Sequence, residues 1–314
     1  MTGKSEISRN RKDDKSLLFS SEALRKLIIP LIIEQILAVT VGMVDTMMVS
    51  SVGEAATSGV SLVDMINNLI INIFAAVATG GAVVASQYLG QKRREKACEA
   101  ADQLVLITAV ISAVIMVCAV LFRRGLLETI YHGIEPDVME NALTYLVISA
   151  VSYPFLAVYN SCAALFRAMG NSGISMQASV VMNVLNIIGD YLLVFVFPMG
   201  VAGAALATLV SRIVACVILN IRLRNRSLDI CIGNGPLSWN GDMIRRILHI
   251  GIPGGVENSI FQLGRVLVVS IIATFGTVQI AANAVANNLD SMGVLPGQAM
   301  NLAMITVIGR CVGA

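Results

Sequence analysis

An internal repeat constrains this chain more than any other feature of its sequence. An apolar stretch at residues 27–53, which contains one proline and two acids, has a second copy at residues 250–276. Four landmarks recur with the same offset of 223 residues: Pro30 and Pro253, Glu34 and Glu257, Gly53 and Gly276, Gly90 and Gly313. A fixed offset over several landmarks indicates duplication. We therefore expect two related units that share one fold.

The repeated unit has the composition of a membrane segment. Charged residues make up 13% of the chain and hydrophobic residues 56%, whereas a soluble domain averages about 25% charged residues. Several windows exceed the roughly 20 apolar residues that a helix needs to cross a bilayer. They lack the alternation of polar and apolar residues that membrane β-barrels show. The sequence predicts an all-α polytopic membrane protein.

Eight crossings are predicted from the apolar windows. They cover residues 24–52, 57–88, 101–122, 138–162, 174–197, 200–221, 247–275 and a segment that begins near 279. Six crossings fit into one repeat offset, and an even number makes the second unit parallel to the first. We expect one complete six-helix unit followed by the first two helices of the second, which is eight of about twelve helices in an incomplete chain. A natural protein of eight crossings is the alternative.

The distribution of positive charge predicts the orientation. Of the 22 Lys and Arg residues, 17 fall at residues 1–26, 91–99, 167 and 222–246, which even-numbered crossings place on one side. By the positive-inside rule this side is cytoplasmic, and so is the N-terminus of a cell-membrane protein. Topology explains the basic loops better than a nucleic-acid partner does. The predicted divisions are a tail at 1–23, a first lobe at 24–221, a linker at 222–246 and the start of a second lobe at 247–314.

Acidic side chains inside the crossings mark candidate functional positions, because ionisable groups are costly in a membrane. With a rise of 1.5 Å per residue, Asp45, Asp190 and Thr208 each lie about 10–13 Å below the outer end of their helix. Asn186 lies one turn from Asp190 on the same helix face. Oxygen ligands of this kind suit a small cation such as Na⁺, and a dehydrated pair of carboxylates suits a proton. The sequence predicts a cation-coupling site at this level.

Four further acids are candidates for lining a substrate cavity: Glu34, Asp64, Glu257 and Asp290. The two glutamates occupy equivalent repeat positions near the midplane. They either line a central cavity or form a buried structural ion pair with Arg212 or Arg265. For the intramembrane amides Asn67, Asn68 and Asn183, interhelical hydrogen bonds are the favoured interpretation.

Catalytic chemistry has no support in this sequence. The Ser, Cys and His residues form no combination of nucleophile and base, and no Walker A sequence is present. We therefore expect a protein that is not an enzyme and that uses no cofactor besides a coupling ion. The six cysteines show no C-x-x-C spacing and are interpreted as reduced packing residues.

Motifs along the chain resemble those of the multidrug and toxic compound extrusion (MATE) family. The matching stretches are VDTMMVSSVG after Pro30, ASQYLGQKRREKA, FRAMGNSG, NIIGDYLLVF, GVAGAALAT, IGIPGGVENSIFQLG and FGTVQIAANAVA. Their order and spacing over residues 24–314 carry the resemblance. It implies two six-helix lobes that export cationic or amphipathic drugs in exchange for H⁺ or Na⁺. A monomer within membrane lipid is the expected state.

The resemblance also implies roles for individual residues. The DinF-like branch has a first-lobe cation site with an Asp in helix 1, an Asn and an Asp four residues apart in helix 5, and a Thr in helix 6. The residues Asp45, Asn186, Asp190 and Thr208 match those positions. The resemblance therefore points to coupling through the first lobe.

The NorM-like branch differs at one position in helix 7. It carries a Glu about two turns after the helix-7 proline, where this chain has Phe261. Glu257 lies only one turn after Pro253, so that role is not transferred to it. This departure favours the DinF-like branch.

The resulting expectation is a secondary active antiporter for multidrug efflux. The alternative is a lipid-linked oligosaccharide flippase of the same superfamily, which is expected to have a more cationic cavity. Six acids lie in the predicted crossings, against Arg212, Arg265 and Arg310 in or near them. This balance favours a cationic substrate.

Overall fold

Nine α-helices form the described part of the computed structural model, which covers residues 21–131, 135–233, 239–273 and 277–314. Within the last two helices only the backbone is described at 263, 265–267, 269–270, 273, 277–285, 287–289 and 291–292. The helices are α1 Ser21–Ser50, α2 Glu54–Gly90, α3 Arg94–Leu121, α4 Arg123–Ile130, α5 Pro136–Ala168, α6 Ser172–Asp190, α7 Val201–Leu223, α8 Gly241–Ala273 and α9 Thr277–Gly313. Residues 1–20 of the predicted tail (1–23) lie outside these ranges. The landmark Gly276 also lies outside them.

Six of these helices are long and apolar enough to cross a membrane, among the residues that the structure describes: α1, α2, α3, α5, α6 with its extension to Val196, and α7. Helices α8 and α9 have 33 and 37 residues, which also suffices for a crossing. The helices begin and end within a few residues of the predicted crossings. Helix α3 is the largest exception, because it starts at Arg94 rather than near 101. The predicted all-α polytopic fold is confirmed.

Two local elements were not predicted. Helix α4, an amphipathic segment of 8 residues, packs through the fully buried Leu127, where the sequence suggested only a loop. The chain after Asp190 continues as a π-helical turn at Tyr191–Val196. Turns of this type are rare and occur often at functional sites, because they change the rotation of a helix locally.

The interior is centred on α2 and α5. Phe74 of α2 meets Tyr153 of α5 with ring centroids 6.1 Å apart in an edge-on arrangement. Alanine and glycine dominate α2 between residues 75 and 86. These small side chains allow the close helix approach by which membrane helices gain van der Waals contact. The main core cluster is formed chiefly by α2, α3, α5 and α7, with further residues from α6 and α8.

Loops at 91–93, 169–171 and 224–240 lie together at one end of the bundle, which we call the basic end. The non-helical segment between α7 and α8 is residues 224–240, shorter than the predicted linker at 222–246. At the basic end, α9 is bonded to the end of α5. The hydroxyl of Thr306 donates to the carbonyl of Arg167 over 2.9 Å, and Nε of Arg310 donates to the carbonyl of Ala168 over 3.1 Å.

The helices of the two repeats pack crosswise. Helix α8 lies so close to α2 that a Cβ on Gly80 would stand 2.5 Å from the carbonyl of Ile247. Helix α1 packs against α9 through a cluster that includes Leu31 and Ala303. The start of the second repeat is thus held against the first.

Candidate cation-binding site

The four residues expected to bind the coupling cation come from three helices. Asp45 lies on α1, Asn186 and Asp190 lie on α6, and Thr208 lies on α7. Nδ2 of Asn186 donates a hydrogen bond to the hydroxyl of Thr208 over 3.2 Å. This bond joins α6 to α7 one turn from Asp190.

Asp45 and Asp190 are close enough for an electrostatic interaction between their carboxyl groups. Asp190 is buried, with 1% of its surface exposed. One buried oxygen on each of these two side chains has no hydrogen-bond partner in the described part of the chain. Buried acceptors are normally satisfied, so these two oxygens can accept a hydrogen bond from a bound group or coordinate a cation.

Small residues bring the helices of the site together. A Cβ added to Gly189 would stand 2.8 Å from the Cβ of Ala207, and one added to Gly203 would stand 2.8 Å from the carbonyl oxygen of Leu193. Helix α7 therefore lies directly against α6 and its π-helical turn. This contact places Thr208 within reach of Asn186.

Two carboxylates that face each other away from water repel unless a cation or a proton lies between them. A proton would convert one of them into a hydrogen-bond donor to the other. A sodium ion would find carboxylate, amide and hydroxyl oxygens, which are the ligands that hard cations prefer. No group of three or more His, Cys, Asp or Glu side chains within the described ranges could hold a metal ion.

Asp64 on α2 lies beside this site. It interacts electrostatically with Asp45 and accepts a hydrogen bond from Nδ2 of Asn67 over 3.3 Å. The amide of Asn67 in turn accepts a 2.7 Å hydrogen bond from the hydroxyl of Tyr153, and Tyr145 also interacts with Asp64. A polar network thus runs from α1 through α2 to α5, which the sequence did not indicate.

Arg212 adds a positive charge to this network. It lies on α7 one turn after Thr208, and its Nη1 donates a 2.6 Å hydrogen bond to the hydroxyl of Ser152 on α5. Its charge attracts both Asp45 and Asp64. Sequence reasoning considered Arg212 as an ion-pair partner for a glutamate and in the charge balance of the crossings, but not as a neighbour of this site. Its position four residues after Thr208 was the sequence feature that could have indicated its place beside the site.

Glu34 lies in a separate cluster nearer the basic end. It is buried, and its carboxylate pairs with Nη1 of Arg167 at 3.3 Å and accepts a hydrogen bond from the hydroxyl of Ser175 over 3.2 Å. The expected partners were Arg212 or Arg265. Arg212 bonds elsewhere, and the side chain of Arg265 lies outside the described residues. The partner differs because α5 continues to Ala168 and so carries Arg167 within its last turn.

The two remaining acids lie on the second repeat. Glu257 on α8 and Asp290 on α9 both have exposed side chains in the structure. Glu257 therefore does not reproduce the buried pairing of its repeat equivalent, Glu34. The structure does not bring either residue to the Asp45–Asp190 pair.

A family model for MatE matches residues 30–192, more than half of the chain. The chain belongs to the MatE family. The match begins at the landmark Pro30 and ends just after Asp190, so it covers Asp45, Asn186 and Asp190. Members of this family are transporters rather than enzymes and need no cofactor. The expectations of a MATE-type chain and of a protein that is not an enzyme are thus confirmed.

Relatives of this MatE chain include several bacterial transporters. An uncharacterized transporter of Bacillus subtilis, YisQ, is 28% identical over 95% of this chain and 68% of its own length. A probable multidrug resistance protein of Thermotoga maritima, NorM, is 28% identical over 91% of this chain and 62% of its own. The multidrug export protein MepA of Staphylococcus saprophyticus is 24% identical over 86% of this chain and 61% of its own length. The chain therefore spans roughly two thirds of the length of these relatives.

Solved structures of MATE transporters share the fold of this chain. An outward-facing multidrug resistance MATE family transporter superposes with a TM-score of 0.86 at 22% identity, covering 93% of this chain and 64% of the other. A transporter of the MOP superfamily from Pyrococcus furiosus superposes with a TM-score of 0.87 at 22% identity, with coverages of 93% and 64%. Together with the six apolar helices, these matches show a multi-pass membrane protein.

Proposed function

We propose that this chain belongs to a secondary active antiporter that exports cationic or amphipathic organic compounds in exchange for H⁺ or Na⁺. The observation that carries the proposal is the Asp45–Asp190 pair, in which each carboxyl group keeps one buried oxygen without a hydrogen-bond partner among the described residues. A cation or a proton between the two carboxyl groups would remove their mutual repulsion. The multidrug relatives support organic compounds as substrates.

The proposed mechanism couples occupation of the pair to helix packing. When a cation or proton enters, the repulsion between Asp45 and Asp190 is removed, so α1 and α6 come closer. The π-helical turn at Tyr191–Val196 follows Asp190 directly and absorbs the change in helix rotation. The altered first lobe expels substrate from the cavity between the lobes, and return of the site to its empty form resets the cycle.

The same proposal includes the location and the organisation of the molecule. We propose a cell-membrane protein with a cytoplasmic N-terminus, a first lobe at 24–221, a linker at 222–246 and a second lobe that begins at 247. The basic loops at 91–93 and 224–240 support this orientation. A monomer in lipid, without a nucleic-acid partner, is the proposed state. The match of Asp45, Asn186, Asp190 and Thr208 to one branch supports a DinF-like member.

Transport by the full-length protein in proteoliposomes tests this function. Ethidium efflux is measured under an imposed pH gradient and, separately, under a sodium gradient. We expect efflux under at least one gradient, and the ion that drives it is the coupling cation. Absence of efflux under both, for protein whose correct folding is verified by its melting curve, would refute the antiporter and direct the next assay to lipid-linked oligosaccharides.

A further inference from the structure

The segment between α7 and α8 is docked on the first turns of α3. Nη2 of Arg94 donates hydrogen bonds to the carbonyl of Arg226 and, over 2.8 Å, to that of Leu228. Further along, the N–H of Gly233 donates to Oδ1 of Asp102 over 2.9 Å. The polypeptide from 226 to 233 is therefore fixed to α3 at both of its ends.

Contacts on either side reinforce this docking. The side chain of Ile230 is fully buried, and its N–H donates to the sulfur of Met169 over 3.3 Å. Where the described chain resumes, Nδ2 of Asn240 donates to Glu99 over 2.6 Å and its N–H donates to Gln103 over 3.1 Å. Residue 231 is thus held in one position relative to α3.

This docking places two cysteine thiols in contact. The sulfur atoms of Cys98 on α3 and Cys231 in the docked segment lie 3.3 Å apart, although 133 residues separate them in the chain. The N–H of Cys231 also donates to the sulfur of Cys98 over 3.2 Å. At this distance no other atom fits between the two sulfur atoms. A separation of 133 residues provides no sequence signal for the pair.

The pair is also accessible from the basic end of the bundle. Both Cys98 and Cys231 are partly exposed, whereas Cys162 and Cys216 are buried in the core cluster. Cys118 and Cys311 are exposed, but they lie on the apolar helices α3 and α9. Arg94 lies one turn before Cys98, and Lys92 and Arg93 precede it. These cations attract an anionic reagent.

We propose that Cys98 and Cys231 form a thiol–disulfide exchange site for a low-molecular-weight disulfide such as oxidised glutathione. The thiolate of Cys231 attacks one glutathione sulfur, which breaks the glutathione S–S bond and releases the first glutathione thiolate. Cys98 then attacks the sulfur of Cys231 in the mixed disulfide and releases the second. The two protons from the cysteines end on the two glutathione molecules, so the protein is oxidised by two electrons and the reagent is reduced by two.

The product is a covalent bond between α3 and the segment that joins α7 to α8. In a reducing compartment the pair remains as two thiols, and it reacts when the proportion of oxidised glutathione rises. The link fixes the connection between the two repeats to the first of them. This proposal concerns a modification of the chain and stands apart from the transport activity.

Mass spectrometry of the full-length protein in membrane vesicles tests the site. The vesicles are treated with oxidised glutathione, remaining thiols are blocked with N-ethylmaleimide, and the protein is digested and analysed. We expect a cross-linked pair of peptides that contain Cys98 and Cys231, with the loss of two hydrogen atoms, and its disappearance after reduction with dithiothreitol.

Single substitutions identify the order of the steps. In Cys98→Ser the glutathione adduct should remain on Cys231, because the resolving thiol is absent, and in Cys231→Ser no cross-link should form. Cys118→Ser serves as the matched control on the same helix and should leave the cross-link unchanged. A stable glutathione adduct on Cys231 of the wild-type protein, or unreacted Cys98 and Cys231 where Cys118 or Cys311 is modified, would overturn the proposal.

Discussion

Ser86 of α2 and Gly309 of α9 pack directly against each other, and they occupy the same position in the two repeats. The side chain of Ser86 fills the space where Gly309 would carry a Cβ. The equivalent glycines Gly90 and Gly313 also meet, since a Cβ on Gly90 would stand 3.0 Å from the carbonyl carbon of Gly313. Contacts between equivalent residues occur around a two-fold axis. The repeats are therefore related by such an axis at the basic end.

The contact is reciprocal, which leads to the first prediction. A Cβ on Gly90 would meet the backbone of Arg310, and a Cβ on Gly313 would meet the backbone of Gln87, the repeat equivalent of residue 310. Gly90→Val should therefore separate α2 from α9 and lower the stability by about 1–3 kcal/mol, the usual cost of overpacking. The measurement is the apparent Tm of the full-length protein in detergent.

A matched control for this prediction lies on α1. Nothing stands within 4 Å of a Cβ added to Gly42, which is also a helical residue, although it lies inside α1 whereas Gly90 is the last residue of α2. Gly42→Val should leave the apparent Tm nearly unchanged. An equal decrease of the apparent Tm in Gly42→Val and Gly90→Val would show that the close contact at Gly90 does not contribute to stability.

Removal of charge at the Asp45–Asp190 pair should abolish coupling. Asp190→Asn and Asp45→Asn keep the size of the side chain but cannot bind the proton or attract the cation. We expect gradient-driven efflux to fall to the level of protein-free liposomes, while the apparent Tm stays equal or rises because a buried repulsion is removed. Asp137→Asn, at an exposed acid, is the control and should transport normally. Wild-type efflux by Asp190→Asn would exclude the proposed mechanism.

Arg212 should weaken the binding of the coupling cation, because its own charge already attracts Asp45 and Asp64. Arg212→Met removes this positive charge, which competes with the coupling cation for the carboxylates. The cation concentration that half-saturates efflux should fall about tenfold, which corresponds to roughly 1.4 kcal/mol. Arg222→Met is the control, since Arg222 lies on the same helix and bonds Gln177 at the surface. A higher half-saturating concentration in Arg212→Met would instead show that Arg212 supports cation binding.

The Glu34–Arg167 pair should stabilise the basic end. Both side chains are largely buried, with 11% and 15% of their surfaces exposed, so Glu34→Gln leaves the charge of Arg167 without its partner. We expect a loss of about 2–3 kcal/mol in the single variant and a smaller loss in the double variant Glu34→Gln/Arg167→Gln. Thermal unfolding in detergent measures both.

The control for the ion pair is also on α1. Glu22 pairs with Lys26 at 2.8 Å, but both side chains are highly exposed. Glu22→Gln should therefore leave the apparent Tm unchanged. If the losses from Glu34→Gln and Arg167→Gln simply add in the double variant, the pair does not act as a unit.

Much of the fold could be predicted from local patterns. The lengths of the apolar windows predicted the crossings, and the offset of 223 residues predicted the relation between the repeats. The level of Asp45, Asp190 and Thr208 followed from the rise of an α-helix. Each of these inferences needs only neighbouring residues or one repeated distance, so no knowledge of helix packing was necessary.

Other features depend on which helix faces meet, and a linear sequence does not specify them. Asn67 forms the interhelical hydrogen bond predicted for it, but the sequence did not show that its partner is Tyr153 or that its amide also bonds Asp64. The π-helical turn after Asp190 has no sequence signal comparable to a proline. It packs against α7, where Gly203 lies against the carbonyl of Leu193.

The sequence by itself determined that this chain is a duplicated helical membrane protein, because hydropathy and repeated landmarks can be recognised along the linear chain. It also predicted acids at a common depth from the rise of an α-helix. Only the tertiary structure decided the partners of those acids. Arg167 lies 133 residues from Glu34, and Cys231 lies 133 residues from Cys98. Which side chains meet over such separations depends on the rotation and crossing of packed helices, and these are fixed by the small residues at which the helices touch.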